Sequence, residues 1–408
     1  MSNNLVTIRR IPYPYKAMLA ICSDLDETPD KNSYFELMRF LNTAEETACG
    51  SGVDLEIGNS IYFSMPKGQF SYWNTDEDGR QKIHALIHSG HIDCLHSFGD
   101  LLSTRKEVAE ALVALDKNGC KLKVWVDHAV APTNFGPDIM QGHGDEVGHP
   151  AYHADLTYDY GIRYVWTGRV TSVIGQDRPF SLRGIANWKH PQKSIDTLLR
   201  EEFKHILGRF KPYRYAMHVK NNLISKFYLR DGRQLTGFCR CNPHWGGISS
   251  CDRGDGIHEV LTKKFLERLI ERQGMCILYT HLGKNSQNDS EPIMGHKAVA
   301  AFRLLYEYYH EKKILVTTTR KMLDYISMRD TTQVMVGNGS LAGGMSVNIK
   351  TPLGGKMELM LDGLSLQVPE KCNEITINGM SEVRYNSHVC NESKIISIPW
   401  SKLSFPQL

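Results

Sequence analysis

Short apolar runs alternate with amphipathic helical patterns from residue 15 to about residue 325, and this alternation constrains the fold more than any other feature of the chain. Strand-like runs occupy residues 17–23, 61–63, 92–95, 122–126, 164–167, 275–279 and 314–318. Helical patterns occupy residues 33–43, 75–89, 104–118, 149–160, 256–272 and 296–310. Strands that alternate with helices of about ten to fifteen residues predict a parallel sheet or a (β/α) barrel. We therefore expect an α/β fold.

Changes in composition and residue pattern along the sequence predict two domains. Residues 168–255 are less regular and rich in Arg, Lys and aromatic residues, which indicates an insertion at the mouth of a barrel. After residue 328, glycines punctuate short alternating runs such as 345–350 and 374–378, a pattern typical of a small all-β module. We expect a barrel domain over residues 1–328 and a C-terminal β module over residues 329–408.

The first apolar run stops at two carboxylates, Asp24 and Asp26. On a continuing strand the two side chains point to the same face. Close carboxylates repel each other unless a cation or a shared proton neutralises them, so the pair is a candidate site. The alternative is an Asp-rich turn that caps the next helix.

Three more apolar runs end in a similar way. One ends at His96, with Asp100 four residues later; another ends at Asp127 and His128; a third ends at His281. Because the carboxyl ends of parallel strands meet at one end of a barrel, these side chains are expected to converge there. An imidazole with one or two carboxylates suits a divalent metal ion such as zinc, cobalt or nickel.

Composition excludes several classes of function. The formal net charge is +3, and no block of Lys and Arg suggests a nucleic-acid partner. No run approaches the ~20 apolar residues of a membrane span. The N-terminus has no apolar core of signal-peptide length, and most of the ten cysteines lie in apolar runs, so we expect a cytoplasmic protein. Cys239 and Cys241, near His244 and Cys251, lack a standard zinc spacing.

Five segments, in the right order, resemble the polysaccharide deacetylase superfamily, the NodB-homology or carbohydrate esterase family 4 group. Residues 23–27 (S-D-L-D-E) resemble its T-F-D-D-G motif, and residues 90–100 resemble its G-H-E-I-G-N-H-T-x-x-H stretch. Residues 277–281 resemble its late L-x-H strand, 315–323 its closing F-V-T-x-x-E-x-L element, and 156–166 its strand that ends in Trp. The resemblance covers residues 15–325 and implies a distorted (β/α) barrel of the glycoside hydrolase/deacetylase type.

The resemblance also implies roles for single residues. Asp24 would be the general base, Asp26 and His96 metal ligands, and His281 the general acid that protonates the leaving amine. The family's second histidine ligand corresponds to Asp100 here, and His128 is a rival third ligand or a residue that orients the substrate. The implied cofactor is one divalent metal ion, with zinc ranked first and cobalt, nickel, manganese and iron as alternatives.

Other polar and aromatic side chains are candidates for binding a sugar. His128 and Asn134 stand where the family has an R-x-P-x-aromatic motif. Arg240 and Trp245 lie in the expected insertion, where a role in packing is the alternative to sugar binding. His149 and His153 have the i, i+4 spacing of a chelating pair on a helix, although a solvent-exposed helix face is the stronger interpretation.

The resemblance implies a metal-dependent hydrolase that removes an N-acyl group, acetyl first, from an amino sugar or sugar precursor of surface-polysaccharide (for example O-antigen) biosynthesis. The expected partner is a small-molecule or glycan substrate; the oligomeric state is not predicted. One alternative is a glycoside hydrolase that needs no metal and pairs Asp24 or Asp26 with an acid such as Asp127. The other is a barrel that binds carbohydrate without catalysis.

Overall fold

The computed structural model describes most of the chain. The described residues are 6–24, 27–99, 101–129, 131–137, 139–179, 191–210, 212–243, 253–284, 294–338, 345–350, 361–377, 385–390 and 393–408. Among the predicted site residues, Asp26, Asp100 and Trp245 lie outside these ranges, as do His244 and Cys251.

The strands are numbered in chain order. They are β1 Thr7–Ile8, β2 Ala17–Ser23, β3 Glu46–Thr47, β4 Gly50–Ser51, β5 Asn59–Ile61, β6 Ile92–His96, β7 Val124–Val126, β8 Tyr164–Trp166, β9 Val170–Thr171, β10 Ile224–Tyr228, β11 Gln234–Phe238, β12 Arg240–Cys241, β13 Met275–Thr280, β14 Ile314–Thr317, β15 Gln333–Asn338, β16 Met345–Lys350, β17 Ser365–Pro369, β18 Cys372–Ile377, β19 Asn386–Cys390 and β20 Ser393–Ser397.

The helices are numbered in the same way, and one short 3₁₀ helix spans Ile257–Glu259. They are α1 Lys31–Asn42, α2 Glu77–Ser89, α3 Arg105–Lys117, α4 Ala154–Tyr160, α5 Pro191–Phe210, α6 Pro212–Lys220, α7 Lys263–Glu271, α8 Gly295–His310 and α9 Thr319–Thr331. No helix in the described ranges is long and apolar enough to cross a membrane.

Two largely parallel sheets form the α/β part of the molecule. One has the order β10-β11-β8-β7-β6-β5, in which only the β10–β11 pair is antiparallel, and the other has the order β14-β2-β13-β12-β9. All seven residues of β2 are buried, as a continuous apolar run in a parallel sheet requires. The α/β class expected from the alternation of strands and helices is therefore confirmed.

Polar caps fix where the helices around these sheets begin. The Asp30 side chain accepts a hydrogen bond from the backbone N–H of Ser33 at the start of α1. Thr104 and Glu107 form a reciprocal capping box at the start of α3. These caps set the points at which the chain leaves the strand ends and enters the helices.

The chain divides into two compact units. The larger comprises residues 17–320 and 403–408, and the smaller comprises residues 1–16 and 321–402. In the smaller unit, β17 pairs with β1 and β20, and β16 pairs with β15 and β18. Residues 6–16 group with the β-rich unit because β1 pairs with β17, although their sequence predicts that they belong to the first domain.

The segment expected to be an irregular insertion contains regular elements. Helices α5 and α6 form a contiguous pair, and β9 and β12 are neighbours in the five-stranded sheet. Strand β11 pairs in parallel with β8 in the other sheet. Residues 168–255 therefore contribute to both sheets as well as carrying two helices.

Candidate functional site

The carboxyl ends of β2 and β13 are held side by side. The backbone N–H of Asp24 donates a hydrogen bond to the carbonyl oxygen of Thr280 at 2.9 Å, and that of Leu282 donates to Ser23 Oγ at 3.0 Å. Asp24 directly follows β2, and His281 directly follows β13. Both predicted catalytic residues therefore lie at the carboxyl ends of neighbouring strands of the five-stranded sheet, as their sequence pattern predicts.

Asp24 lies between a histidine and an arginine. Arg240 Nη1 and Nη2 donate to the two carboxylate oxygens of Asp24 at 2.7 and 2.8 Å. His96 Nε2 is 3.0 Å from Asp24 Oδ2. The side chains are nearly inaccessible to solvent, with exposed fractions of 3% for Asp24, 1% for His96 and 0% for Arg240. The structure thus brings together residues from β6, β12 and the end of β2.

These partners decide the charge state of Asp24. Burial raises the pKa of the Asp24 carboxyl, but the charges of Arg240 and His96 and their hydrogen bonds outweigh burial and hold the pKa well below its usual value. Asp24 is therefore ionised at neutral pH. Its affinity for a proton is also low, which weakens it as a general base compared with an unpaired carboxylate.

Aromatic rings enclose the Arg240 guanidinium. Its carbon atom Cζ lies 4.0 Å from the ring centre of Trp166 and 5.0 Å from that of Tyr279. A planar guanidinium can stack on aromatic faces while it binds a carboxylate with two parallel hydrogen bonds. The terminal nitrogens of Arg240 bind Asp24, so its observed contacts are those of a positioning residue, and contact between Arg240 and a substrate stays a prediction.

Tyr62 contacts both His96, the last residue of β6, and His128, in the loop after β7. Tyr62 Oη lies 2.7 Å from His128 Nδ1. The ring centres of Tyr62 and His96 are 4.4 Å apart, and those of His96 and His128 are 5.2 Å apart. The hydrogen bond at Nδ1 orients the His128 ring. His128 therefore lies next to His96, as its proposed role as a ligand or orienting residue requires.

Asn134 holds the backbone that carries His128. Its Oδ1 accepts from the backbone N–H of His128 at 2.9 Å, and its Nδ2 donates to the carbonyl oxygen of His128 at 2.6 Å. Nearby, Asp127 Oδ1 accepts from Trp125 Nε1 and the backbone N–H of Phe135. Asn134 and Asp127 thus fix the loop after β7, and contact between Asn134 and a substrate stays a prediction.

His281 lies close to the aromatic rings beside Arg240. Its ring centre is 5.2 Å from that of Tyr279, and the Tyr279 ring stacks on Trp166 with centres 5.7 Å apart. Only 6% of His281 is exposed. The structure therefore gives His281 a nearly buried place beside the Arg240 cluster, while its role as an acid stays a prediction.

The histidine pair suggested by the i, i+4 spacing does not share a helix. Helix α4 begins at Ala154, so His149 and His153 precede it. His153 is buried and makes contacts of 2.7 Å with Thr157 Oγ1 and 2.8 Å with the carbonyl oxygen of Thr133. Burial lowers the pKa of His153 to about 4. The expected solvent-exposed helix face is wrong for His153, because the chain turns into the helix only after it.

Some of the predicted metal ligands lie in the described ranges and others do not. Among the described side chains, no group of three or more His, Cys, Asp and Glu residues is arranged to hold a metal ion. Asp26 and Asp100, two of the predicted ligands, lie outside the described ranges. The buried Asp24 carboxylate nevertheless contacts His96, and His128 lies beside His96. Carboxylate and imidazole groups are ligands that zinc and related ions accept. The described residues therefore fit part of a metal site.

Sequence reasoning missed two residues of this site and one contact between two of its candidates. Tyr62 was assigned to a strand without a role, and Trp166 was noted only for a family resemblance. Arg240 and Asp24 were both candidates, but the ion pair between them was not predicted, because 216 residues separate them in the chain. No local pattern signals such a pair.

Comparisons with known proteins give no assignment. No protein-family model matches the chain, and a search among curated proteins finds no significant match.

Proposed function

We propose that the chain is a metal-dependent hydrolase that removes an N-acyl group, acetyl first, from an amino sugar or sugar precursor. The observation that carries this proposal is the contact between Asp24 and His96, buried at the carboxyl ends of strands from two different sheets. Enzymes with parallel α/β sheets place their chemistry at these ends. A cytoplasmic, nucleotide- or lipid-linked amino sugar of surface-polysaccharide biosynthesis is the substrate class we propose.

We also propose that the two sheets belong to one distorted (β/α) barrel. Strands β8 and β9 are separated by residues 167–169, and β11 and β12 by Cys239 alone. In each case the chain runs directly from one sheet into the other. The contact between His96, at the end of β6, and Asp24, directly after β2, supports the same closure.

The proposed metal ligands are His96, Asp26 and either Asp100 or His128. A divalent ion bound there would lower the pKa of a water molecule towards ~7 and polarise the amide oxygen of the substrate. Asp24 is held ionised and in a fixed orientation by Arg240, and in this proposal it accepts the proton of the attacking water. His281 returns a proton to the leaving amine. Such proton transfers contribute about 10²–10⁴-fold to rate.

One observation favours the alternative of a carbohydrate-binding barrel without catalysis. Both oxygens of Asp24 bind Arg240, and a carboxylate with a lowered pKa is a weak base. In the proposed hydrolase, the pKa of the attacking water must therefore be lowered far enough for a weak base such as Asp24 to accept its proton. The alternative requires only that the pair shape a polar pocket.

Amide hydrolysis tests the two functions directly. The purified protein, incubated with zinc, cobalt, nickel, manganese or iron, is assayed for acetate release from a panel of N-acetylated amino sugars and their nucleotide-linked forms. The hydrolase proposal predicts release that is lost in His96→Ala and kept in His88→Ala. His88 is a matched control because it is exposed and contacts the Asn118 carbonyl oxygen and Cys120 Sγ rather than the residues of the site. Sugar binding by calorimetry without acetate release would instead support the binding barrel.

A further inference from the structure

Helix α5 turns polar residues inward. Glu201 is 3% exposed and accepts hydrogen bonds from the backbone N–H of Ser172 at 3.0 Å and from Thr171 Oγ1 at 3.2 Å. Lys204 Nζ lies 3.0 Å from the same carboxylate. Gly208, also on this side, is so close to α6 that a Cβ atom would clash with it. The inner face of α5 is therefore built from a carboxylate, an ammonium group and a glycine.

The outer face of α5 is apolar. Five large hydrophobic residues there are exposed, by the following fractions: Ile195 56%, Leu199 63%, Phe203 61%, Ile206 48% and Phe210 79%. From these fractions and full side-chain areas of up to ~250 Å², the stripe exposes about 600 Å² per copy, the upper end of the largest patches on ordinary monomers. A helix with its polar face inward and its apolar face outward indicates a binding surface.

The spacing of the stripe is that of a coiled-coil seam. Leu199, Phe203, Ile206 and Phe210 are separated by four, three and four residues, which assigns them to alternating d and a positions of a heptad. Glu201 and Gly208 then occupy f positions, directly opposite the seam, which agrees with their packing against the protein. The stripe therefore fits a partner helix lying along α5.

The charges beside the stripe favour a second copy of this chain in the antiparallel orientation. Glu202 and Arg209 occupy successive g positions. In an antiparallel pair in which Phe203 lies opposite Ile206 of the second copy, Glu202 faces Arg209 of the second copy, and the reverse pair forms by symmetry. In a parallel pair Glu202 would face Leu207 instead. Two copies would together bury about 1,200 Å², the lower end of standard interfaces.

We propose that α5 forms the interface of an antiparallel homodimer, with its apolar stripe as the core and two symmetric Glu202–Arg209 pairs at the rim. The inference does not depend on the proposed hydrolase activity. It assigns to α5 a role that explains why a helix anchored by Glu201 presents Phe203 and Phe210 to solvent.

Sedimentation velocity of the full chain from about 1 to about 100 μM, a range that covers micromolar affinities, tests the proposal. The wild type is expected to dimerise in this range. Phe203→Asp should weaken dimerisation at least about 100-fold, and Glu202→Arg or Arg209→Glu about tenfold. The double variant Glu202→Arg/Arg209→Glu should restore the wild-type affinity, because the charges are then exchanged. Val147→Asp, at another exposed apolar residue, is the matched control.

Three results would overturn the proposal. The first is a wild type that stays monomeric at the highest concentration. If that monomer binds phosphatidylglycerol vesicles through Phe203, the stripe is a lipid-binding surface and not a dimer interface. The second is a dimer that survives Phe203→Asp in a variant with wild-type circular dichroism. The third is a double charge exchange that fails to restore the affinity lost in the single variants.

Discussion

Arg240 and Asp24 form a bidentate ion pair of 2.7 and 2.8 Å that joins strand β12 to the end of strand β2. Both side chains are buried, so water screens their interaction weakly. Replacement of either partner leaves the other as an uncompensated charge. The pair therefore couples the stability of the site to the ionisation of the residue proposed as its base.

Arg240→Lys tests the control of Asp24 ionisation. A lysine keeps the positive charge but cannot make two parallel hydrogen bonds, so the pKa of Asp24 is expected to rise from its lowered value. Asp24 would act only when ionised, so the acidic limb of the pH profile of kcat/KM should move to higher pH. Arg233→Lys, at a part-exposed ion pair with Asp231, is the control. An acidic limb that does not move would show that Asp24 ionisation does not limit the reaction.

Asp24→Asn should destabilise the fold as well as impair activity. The variant leaves the Arg240 guanidinium buried without its counter-charge, which costs about 3–5 kcal/mol in comparable pairs. Urea unfolding monitored by circular dichroism measures the loss. The double variant Asp24→Asn/Arg240→Met should recover most of it, because no charge is then buried. If the double variant is no more stable than Asp24→Asn, the unpaired Arg240 charge is not the cause of the lost stability.

Asp93 makes stability depend on pH in the opposite sense to most carboxylates. Burial raises its pKa from 3.8 to about 6, although the backbone N–H of Arg320 donates to Oδ2 at 2.7 Å and partly offsets this. The folded state therefore binds an extra proton between these values, and the free energy of unfolding falls as pH rises through them.

Asp93→Asn removes that dependence, since an amide stays neutral and can still accept the hydrogen bond. Between pH 4 and pH 7 the free energy of unfolding of the variant should rise by up to about 3 kcal/mol relative to that of wild type. Urea unfolding of both proteins at the two pH values measures the difference. A difference that is the same at pH 4 and pH 7 would contradict the raised pKa.

Glu201 shows the ordinary sense of pH dependence. Burial raises its pKa, but the interaction with His218, whose Nδ1 lies 3.7 Å from Glu201 Oε2, and the charge of Lys204 outweigh burial and lower the pKa to about 2. Its stabilisation is present above its unfolded pKa of 4.5 and is lost as pH falls towards 2. Glu201→Gln should therefore cost about 3 kcal/mol at pH 7 and progressively less below pH 4. Guanidinium unfolding at pH 7 and pH 3 measures this cost, and an equal cost at both would contradict it.

The elements that sequence could predict are those with strong local signals. Strand β2 has the predicted bounds, Ala17–Ser23, because a continuous apolar run ends at a carboxylate. The predicted strands that end at His96 and before His281 were confirmed for the same reason. Their convergence follows from parallel pairing, in which all carboxyl ends lie at one edge.

The rest depends on contacts that sequence spacing does not encode. Helix α5 was missed although Leu199, Phe203 and Ile206 have helical spacing, because the surrounding Arg, Lys and prolines suggested an irregular segment. The start of α4 was misplaced because the i, i+4 spacing of His149 and His153 resembles a helix. The Arg240–Asp24 pair arises only when the two strands occupy the same sheet.

Bound metal is the property on which the proposed hydrolase depends. The protein is purified without chelators, and bound metal per chain is determined by mass-spectrometric elemental analysis for wild type, His96→Ala and the control His88→Ala. We expect about one equivalent of a divalent transition metal in wild type and the control, and a loss of that metal in His96→Ala. Wild-type protein that binds none, even after incubation with zinc, cobalt, nickel, manganese and iron, would contradict the proposed hydrolase.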